Sequence, residues 1–392
     1  MKEGWEYKKL GEVCDFEGGS QPPKSEWINH PQDGYVRMLQ IRDFTKSRNA
    51  EDEYVKITKK LRLCKDDDIL IGRYGASVGK ILTGLAGAYN VAIIKSIPNE
   101  ELIRKDFIRR YFESSLFQSV LLKVCSSRAA QAGFSKDDIK NELIPLPPLS
   151  EQQSIVDYLD SAFAKIDAMK ANAEKALGEA KALFQASLKE MMEPKEGWEE
   201  KKLKEVVVSI TDGDHQPPPK SHEGIPFITI SDIDKNSNLI NFEDTFFVPQ
   251  SYYNALKKDR IPQNGDVLYT VTGSFGIPVL VDFQKEFCFQ RHIALIRPDL
   301  NLLSPTYLFY WILSSYAMSQ AEDTATGAAQ RTVSLNSLRN FAIQVPSLPE
   351  QQSIVATLDS LKSKVDCLQA NYEKISQECD ALKQAILRQV FE

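Results

Sequence analysis

The strongest constraint on this chain is that its sequence is written twice. Gly4–Val13 reads GWEYKKLGEV and Gly197–Val206 reads GWEEKKLKEV, eight identities in ten. Arg128–Ser161 lies on Gly327–Ser360 without a gap, with 17 of 34 positions identical, and the run EQQSIV recurs whole at 151–156 and 350–355. The repeating unit is nearly 200 residues long in a chain of 392. That is too long for a solenoid repeat, so each copy is expected to close its own core. The copies agree at their edges and diverge in the middle, where only fragments align, such as Gln21–Lys24 with Gln216–Lys220 and Asp68–Leu70 with Asp266–Leu268. A shared scaffold carrying two different recognition surfaces gives this distribution; so does drift in loops.

Each copy ends in a long apolar repeat. After Pro145–Pro148, Ser150 is placed to cap a helix. Ile155, Leu159, Ala162, Ile166, Met169, Ala173, Ala176, Ala180 and Leu183 then recur at 4-3 spacing. In the second copy Ile354, Leu358, Leu361, Val365, Leu368, Tyr372, Ile375, Cys379, Leu382 and Ile386 do the same. Such spacing, sustained over about four heptads, predicts coiled coil. The simplest pairing is antiparallel, with small residues opposite large: Ala180 by Leu361, Ala173 by Leu368 and Met169 by Tyr372. The internal repeat then has a pseudo-two-fold relation.

Within the globular parts, 34–44 and 224–234 read as strand followed by turn, Asp68–Arg73 and Asp266–Val271 as buried strands entering glycine-containing turns, and Ala88–Lys95 and Arg291–Arg297 as further strands. Ile103–Val124 and Pro305–Ala321 each read as a helix whose aromatics, Phe107, Tyr111, Phe112, Tyr307, Phe309, Tyr310 and Trp311, belong to a core. The fold class is therefore α+β.

Composition narrows the function. Six scattered cysteines form no C-x-x-C pair and no disulfide framework, and the four histidines have no regular metal spacing. No metal and no cofactor are expected. Gly75–Lys80 (GASVGK) imitates the end of a phosphate loop, but the spacing is wrong and Ile81 stands where Ser or Thr is needed. No apolar run approaches membrane length and no secretory leader is visible, so a soluble cytoplasmic protein without a membrane partner is expected. The net charge of −6 argues against binding nucleic acid through bulk charge, although residues 37–80 carry eleven Lys or Arg against seven Asp or Glu.

The N-terminal G-W-x-x-K-K-L, the twice-used P-x-L-x-E-Q-Q-S-I-V at 147–156 and 346–355, the heptad helices and the duplication together resemble the specificity subunit of type I restriction–modification systems. The resemblance covers essentially the whole chain. It implies two target recognition domains, at 1–149 and 193–348, separated by two conserved helices, at 150–192 and 349–392, that form an antiparallel coiled coil. Each domain would read one half of a bipartite site on double-stranded DNA. The helices would set the spacer and dock two methyltransferase subunits, to which restriction subunits add. Methyl transfer and cleavage would belong to those partners, leaving this chain non-catalytic. Gly178, inside the first helix, departs from good helix-forming sequence at a cost of about 1 kcal/mol relative to Ala. A coiled-coil scaffold that presents two partner-binding domains and never touches DNA is the alternative.

Base readout needs Arg, Lys, Asn, Gln, Ser or Thr at a groove, and phosphate contacts need cations. In the first copy the candidates are Ser20, Gln21, Lys24, Arg37, Gln40, Arg42, Arg73 and Tyr74. In the second they are His215, Gln216, Lys220, Thr229, Ser231, Thr272, Ser274, Arg291 and Arg331. Gln131 and Gln330 occupy matching Ala-Ala-Gln segments, which suggests a scaffold role. Arg331 stands where the first copy has Ala132, which marks it for specificity.

Overall fold

The structure, a computed structural model, describes residues 4–45, 51–126, 133–215, 217–328 and 330–392. The chain divides into two compact units: residues 1–173 with 373–392, and residues 174–372.

In the first unit Glu6–Lys9 pairs antiparallel with Leu143–Leu146. A four-stranded antiparallel sheet follows the order Cys14–Gly18, Ile93–Pro98, Leu70–Gly72, Ile81–Leu82. A second sheet has the order Tyr54–Lys56, Tyr35–Leu39, Gly87–Tyr89, Leu63–Cys64, with its central pair parallel. Helices Lys105–Glu113 and Ser115–Ser126 cover the first sheet's core, where Phe107, Tyr111, Phe112 and Phe117 are buried. The first long helix, Leu149–Met192, adds Val156, Leu159, Phe163 and Ile166 to that core. The second, Leu348–Phe391, adds Cys379, Leu387, Val390 and Phe391.

The second unit repeats the topology. Glu199–Lys202 pairs with Ala342–Val345, and the four-stranded sheet runs Val207–Asp212, Ile293–Pro298, Val267–Thr270, Pro278–Leu280. Its other sheet has three strands, Phe246–Val248, Ile225–Ile228 and Cys288–Phe289, beside a small hairpin of Ile233–Asp234 with Leu239–Ile240. Tyr307, Phe309, Tyr310 and Trp311 are buried with Leu188, Met192, Ile354 and Leu358. The aromatics read from the sequence as core are core in both units.

The repeated motifs hold each unit together. The Trp5 indole N–H donates to Glu151 Oε1 over 2.8 Å, and Trp198 donates to Glu350 Oε1 over 3.0 Å. The neighbouring glutamine is fully buried in both copies. Gln152 accepts from the Arg104 N–H at 2.8 Å and donates to the carbonyls of Leu102 and Pro147 at 3.1 and 2.9 Å. Gln351 does the same with Ser304 N–H, Leu302 and Pro346 at 2.8, 2.9 and 2.9 Å. Buried amides of this kind must be fully paired, which explains the residue type.

The structure differs from the sequence reading in four local ways. Each expected helix over the aromatics is two helices, broken at Ser114 and Ser314. Both serines are buried in extended conformation, and each Oγ donates to the carbonyl three residues back at 2.6 Å, which ends the first helix. The strand expected at Ala88–Lys95 is two strands joined by a turn at Asn90–Ala92. The buried stripe of the first long helix uses Phe163, Leu177 and Leu188, while Met169 and Leu183 are exposed. The helix pairing also has another register. In the first unit Lys170 meets Asp380 at 3.5 Å and Lys383 meets Asp167 at 2.6 Å; in the second, Lys181 donates to Gln369 at 2.7 Å. These contacts run in opposite chain directions but lie nine residues, about 13 Å, from the expected pairing. An alanine stripe carries little register information; anchoring Leu387, Val390 and Phe391 in the first core fixes it instead.

Candidate nucleic-acid interface

In the first unit the candidates collect around the turn at Asn90–Ala92. Asn90 N–H donates to the Leu39 carbonyl at 3.1 Å, Ile93 N–H to the Asn90 carbonyl at 3.0 Å, and Ala92 N–H to Asn90 Oδ1 at 3.1 Å. The last of these makes the side chain part of the turn. Ser20 N–H binds the Tyr89 carbonyl at 3.0 Å, and Arg73 N–H binds the Ala92 carbonyl at 2.9 Å. Gly19 passes so close that a Cβ there would lie 2.0 Å from the Asn90 carbonyl oxygen. Ser20, Gln40, Arg73 and Tyr74 therefore flank one clamped turn, with Gln21 exposed beside Ser20. Arg73 is itself engaged: Nε donates to the Phe134 carbonyl at 3.1 Å, Nη1 donates to the Val91 carbonyl at 3.3 Å, and its guanidinium lies 5.1 Å from the Tyr74 ring centre.

A second group converges on carboxylates. Lys24, Gln40 and Arg42 all meet Glu53, Gln40 at 2.8 Å and Arg42 at 2.5 Å. Burial pushes the Glu53 carboxyl up, but hydrogen bonds from Lys24 and Gln40 and the charges of Lys24 and Arg42 outweigh it and hold it below the usual value of 4.5. Arg37 pairs with Asp43 and Asp52 at 3.3 and 3.0 Å.

In the second unit the equivalent turn is Gln290–His292. Gln290 N–H donates to the Ile228 carbonyl at 2.9 Å, Ile293 N–H to the Gln290 carbonyl at 3.0 Å, and Val271 N–H to the His292 carbonyl at 2.9 Å. A Cβ at Gly213 would lie 2.0 Å from the Phe289 carbonyl oxygen, so the glycine clamp is repeated. Thr272 is buried, and its Oγ1 lies 3.1 Å from His292 Nδ1 and 3.4 Å from the Thr332 hydroxyl. His215 Nε2 lies 2.9 Å from Asp212 Oδ2. Burial, Arg291 and His215 together push the His292 imidazole below its usual 6.5, so the neutral ring is favoured. Arg291 is exposed and makes no ion pair or hydrogen bond among the described residues.

The remaining candidates lie around this frame. Thr229 follows Ile228, and its hydroxyl meets Asp232 Oδ2 and the Ser231 hydroxyl, both at 2.7 Å. Ser274 is exposed, and its carbonyl accepts from Thr270 Oγ1 at 2.7 Å. Arg331 donates to the Glu322 carbonyl at 2.6 Å and lies 5.5 Å from the Phe275 ring centre. Lys220 lies instead over the Phe246 ring at 5.0 Å. Gln216 and Gln131 fall outside the described residues, whereas Gln330 is exposed, with Nε2 close to Gly273. Sequence reading missed Asn90, Val91, Gln290 and His292. The signal was one polar residue after an aromatic in both copies, Tyr89-Asn90 and Phe289-Gln290, inside runs otherwise apolar enough to pass for unbroken strand.

The chain thus holds two units of closely similar topology, each presenting unlike side chains on one clamped turn. Comparison with known proteins places it. The family described as "Type I restriction modification DNA specificity domain" matches residues 2–177 and 195–377, and the chain belongs to that family. It is 24% identical to the EcoBI specificity subunit of Escherichia coli, over 100% of this chain and 86% of that one. It is also 24% identical to the MjaVIII specificity subunit of Methanocaldococcus jannaschii, over 96% and 90%. Its fold is similar to a chain solved in work on complex assembly and conformational transition of the type I R-M system, with TM-score 0.75, 21% identity and coverage of 100% and 98%. The HsdS subunit of Thermoanaerobacter tengcongensis is similar at TM-score 0.53 and 20% identity, covering 100% and 97%. The chain is a DNA-recognition component of a type I restriction–modification complex and not its catalyst; the scaffold alternative is not favoured.

Proposed function

We propose that each unit reads one half of a bipartite duplex site through its clamped turn and the loops beside it. The observation that carries this reading is that the backbone clamps of the two turns are the same while the side chains they present differ. Ser20, Gln21, Gln40, Arg73 and Tyr74 serve the first half-site. His215, Gln216, Thr229, Ser231, Thr272, Ser274, Arg291 and Arg331 serve the second. Lys24, Arg37, Arg42 and Lys220 supply phosphate contacts, which position the chain without reading sequence. Residues 1–149 and 193–348 act as the target recognition domains.

In this reading the two long helices form an antiparallel coiled coil with pseudo-two-fold symmetry. A helix of 44 residues is about 66 Å long, which exceeds the about 34 Å between half-sites one duplex turn apart. The opposed contacts at Lys170–Asp380 and Lys181–Gln369 support it. The helices dock two methyltransferase subunits, restriction subunits join through the complex, and the assembly works in the cytoplasm. A gel shift of this chain with methyltransferase subunits, using randomised duplex, tests the reading: enrichment of a two-part motif is expected, and binding without any sequence preference would refute it.

A further inference from the structure

Val91 and Arg291 occupy the same place in the two turns. Each precedes the residue whose carbonyl accepts from the end of the central strand, Ala92 from Arg73 and His292 from Val271, both at 2.9 Å. Each follows the residue whose N–H is tied to the second sheet, Asn90 to Leu39 and Gln290 to Ile228. Glycines 19 and 213 press on both turns from one side, so the backbone is held while one outward side chain changes. In the first unit that side chain is apolar and 43% exposed. In the second it is an exposed guanidinium with all its donors uncommitted among the described residues.

The surroundings sharpen the contrast. The arginines beside the first turn are already engaged: Arg73 on two carbonyls, Arg42 on Glu53, and Arg62 on Glu17 at 2.9 Å. Among the described residues, no uncommitted guanidinium is left there to grip a guanine. The second turn offers one. In a major groove a guanidinium pairs in bidentate fashion with guanine O6 and N7, whereas an apolar side chain packs on the thymine methyl.

We infer that residues 91 and 291 each specify one base pair, Arg291 a guanine in the second unit's half-site and Val91 a thymine in the first's. This rests on the DNA-reading role proposed above. It goes further by assigning the discriminating side chain of each turn and the base it takes.

The test uses the full chain assembled with its methyltransferase subunits on a randomised duplex library, with bound sequences read out for wild type, Arg291→Val, Arg291→Lys and Val91→Arg. Arg291→Val should lower discrimination at one guanine position by about 10- to 100-fold and leave the other half-site unchanged. Arg291→Lys keeps the charge but not the two-pronged fork, so it should also lower discrimination at that guanine and leave the other half-site unchanged. Val91→Arg should alter one position in the opposite half only. Unaltered motifs in the variants, or changes from both positions falling in the same half, would overturn the inference with the DNA-reading role intact. A wild-type complex that enriches no two-part motif would remove that role, and the inference with it.

Discussion

The indole of Trp5 and the carboxylate of Glu151 meet at 2.8 Å across 146 residues of chain. This bond joins the two best-repeated stretches of the sequence, and Trp198 with Glu350 repeats it. A hydrogen bond to a charged, half-buried group is worth about 1.5–3 kcal/mol. Trp5→Phe keeps the ring and removes the donor, so it should destabilise the first unit by about that amount, read as a lower urea midpoint. Trp5→Phe with Glu151→Gln should lose less than the two single changes added together.

Gln152 offers a sharper test. Gln152→Leu would leave an N–H and two carbonyls unpaired in a buried site, each costing about 1–3 kcal/mol. Loss of at least about 3 kcal/mol is expected in denaturant melts, and Gln351→Leu should do the same to the second unit. A change below about 1 kcal/mol in either variant would contradict the stapling role.

Gly178 lies in the first long helix, and nothing stands within 4 Å of where its Cβ would be. Gly178→Ala should therefore stabilise by about 1 kcal/mol, seen as slower amide exchange in that helix. Gly19→Ala should do the opposite, because its methyl would collide with the Asn90 carbonyl. It should blur the first half-site alone, measured by the same duplex enrichment.

Glu53 sets a pH dependence. Its carboxyl is held ionised in the folded chain, so its stabilisation is present above the usual 4.5 and is lost as pH falls through its lower folded value. Glu53→Gln should cost about 1 kcal/mol at neutral pH, and the gap from wild type should close as the pH drops below 4.5. The variant also frees Lys24 and Arg42. Non-specific DNA affinity should rise, because the phosphate contacts of Lys24 and Arg42 no longer compete with the Glu53 carboxylate.

Duplication, long helices and aromatic cores were legible because each rests on a strong local signal: identity at fixed offset, sustained 4-3 spacing, or helical clusters of large rings. Buried Gln152 was legible as a repeated letter but not as a staple, since its three partners come from segments far away in sequence. The turn at Asn90–Ala92 was hidden because Tyr89 and Ile93 on either side are both fully buried, so apolar character runs through it. Helix register was not legible because anchoring by Leu387 and Phe391 in a distant core decides it. The pairing of Lys24, Gln40 and Arg42 on Glu53 was likewise a matter of tertiary neighbours.

The first unit's core joins residues from both ends of the sequence. Phe391 is buried against Phe107 and Tyr111, with ring centres 5.4 and 5.7 Å apart, so Phe391→Ala should cost about 3–5 kcal/mol in the first unit and spare the second. The second unit is continuous from 174 to 372, whereas the first needs 373–392 to be complete. Residues 1–173 therefore keep an open apolar face until the segment that carries Phe391 packs against them, so the first unit closes only when two parts of its sequence far apart in the chain have met.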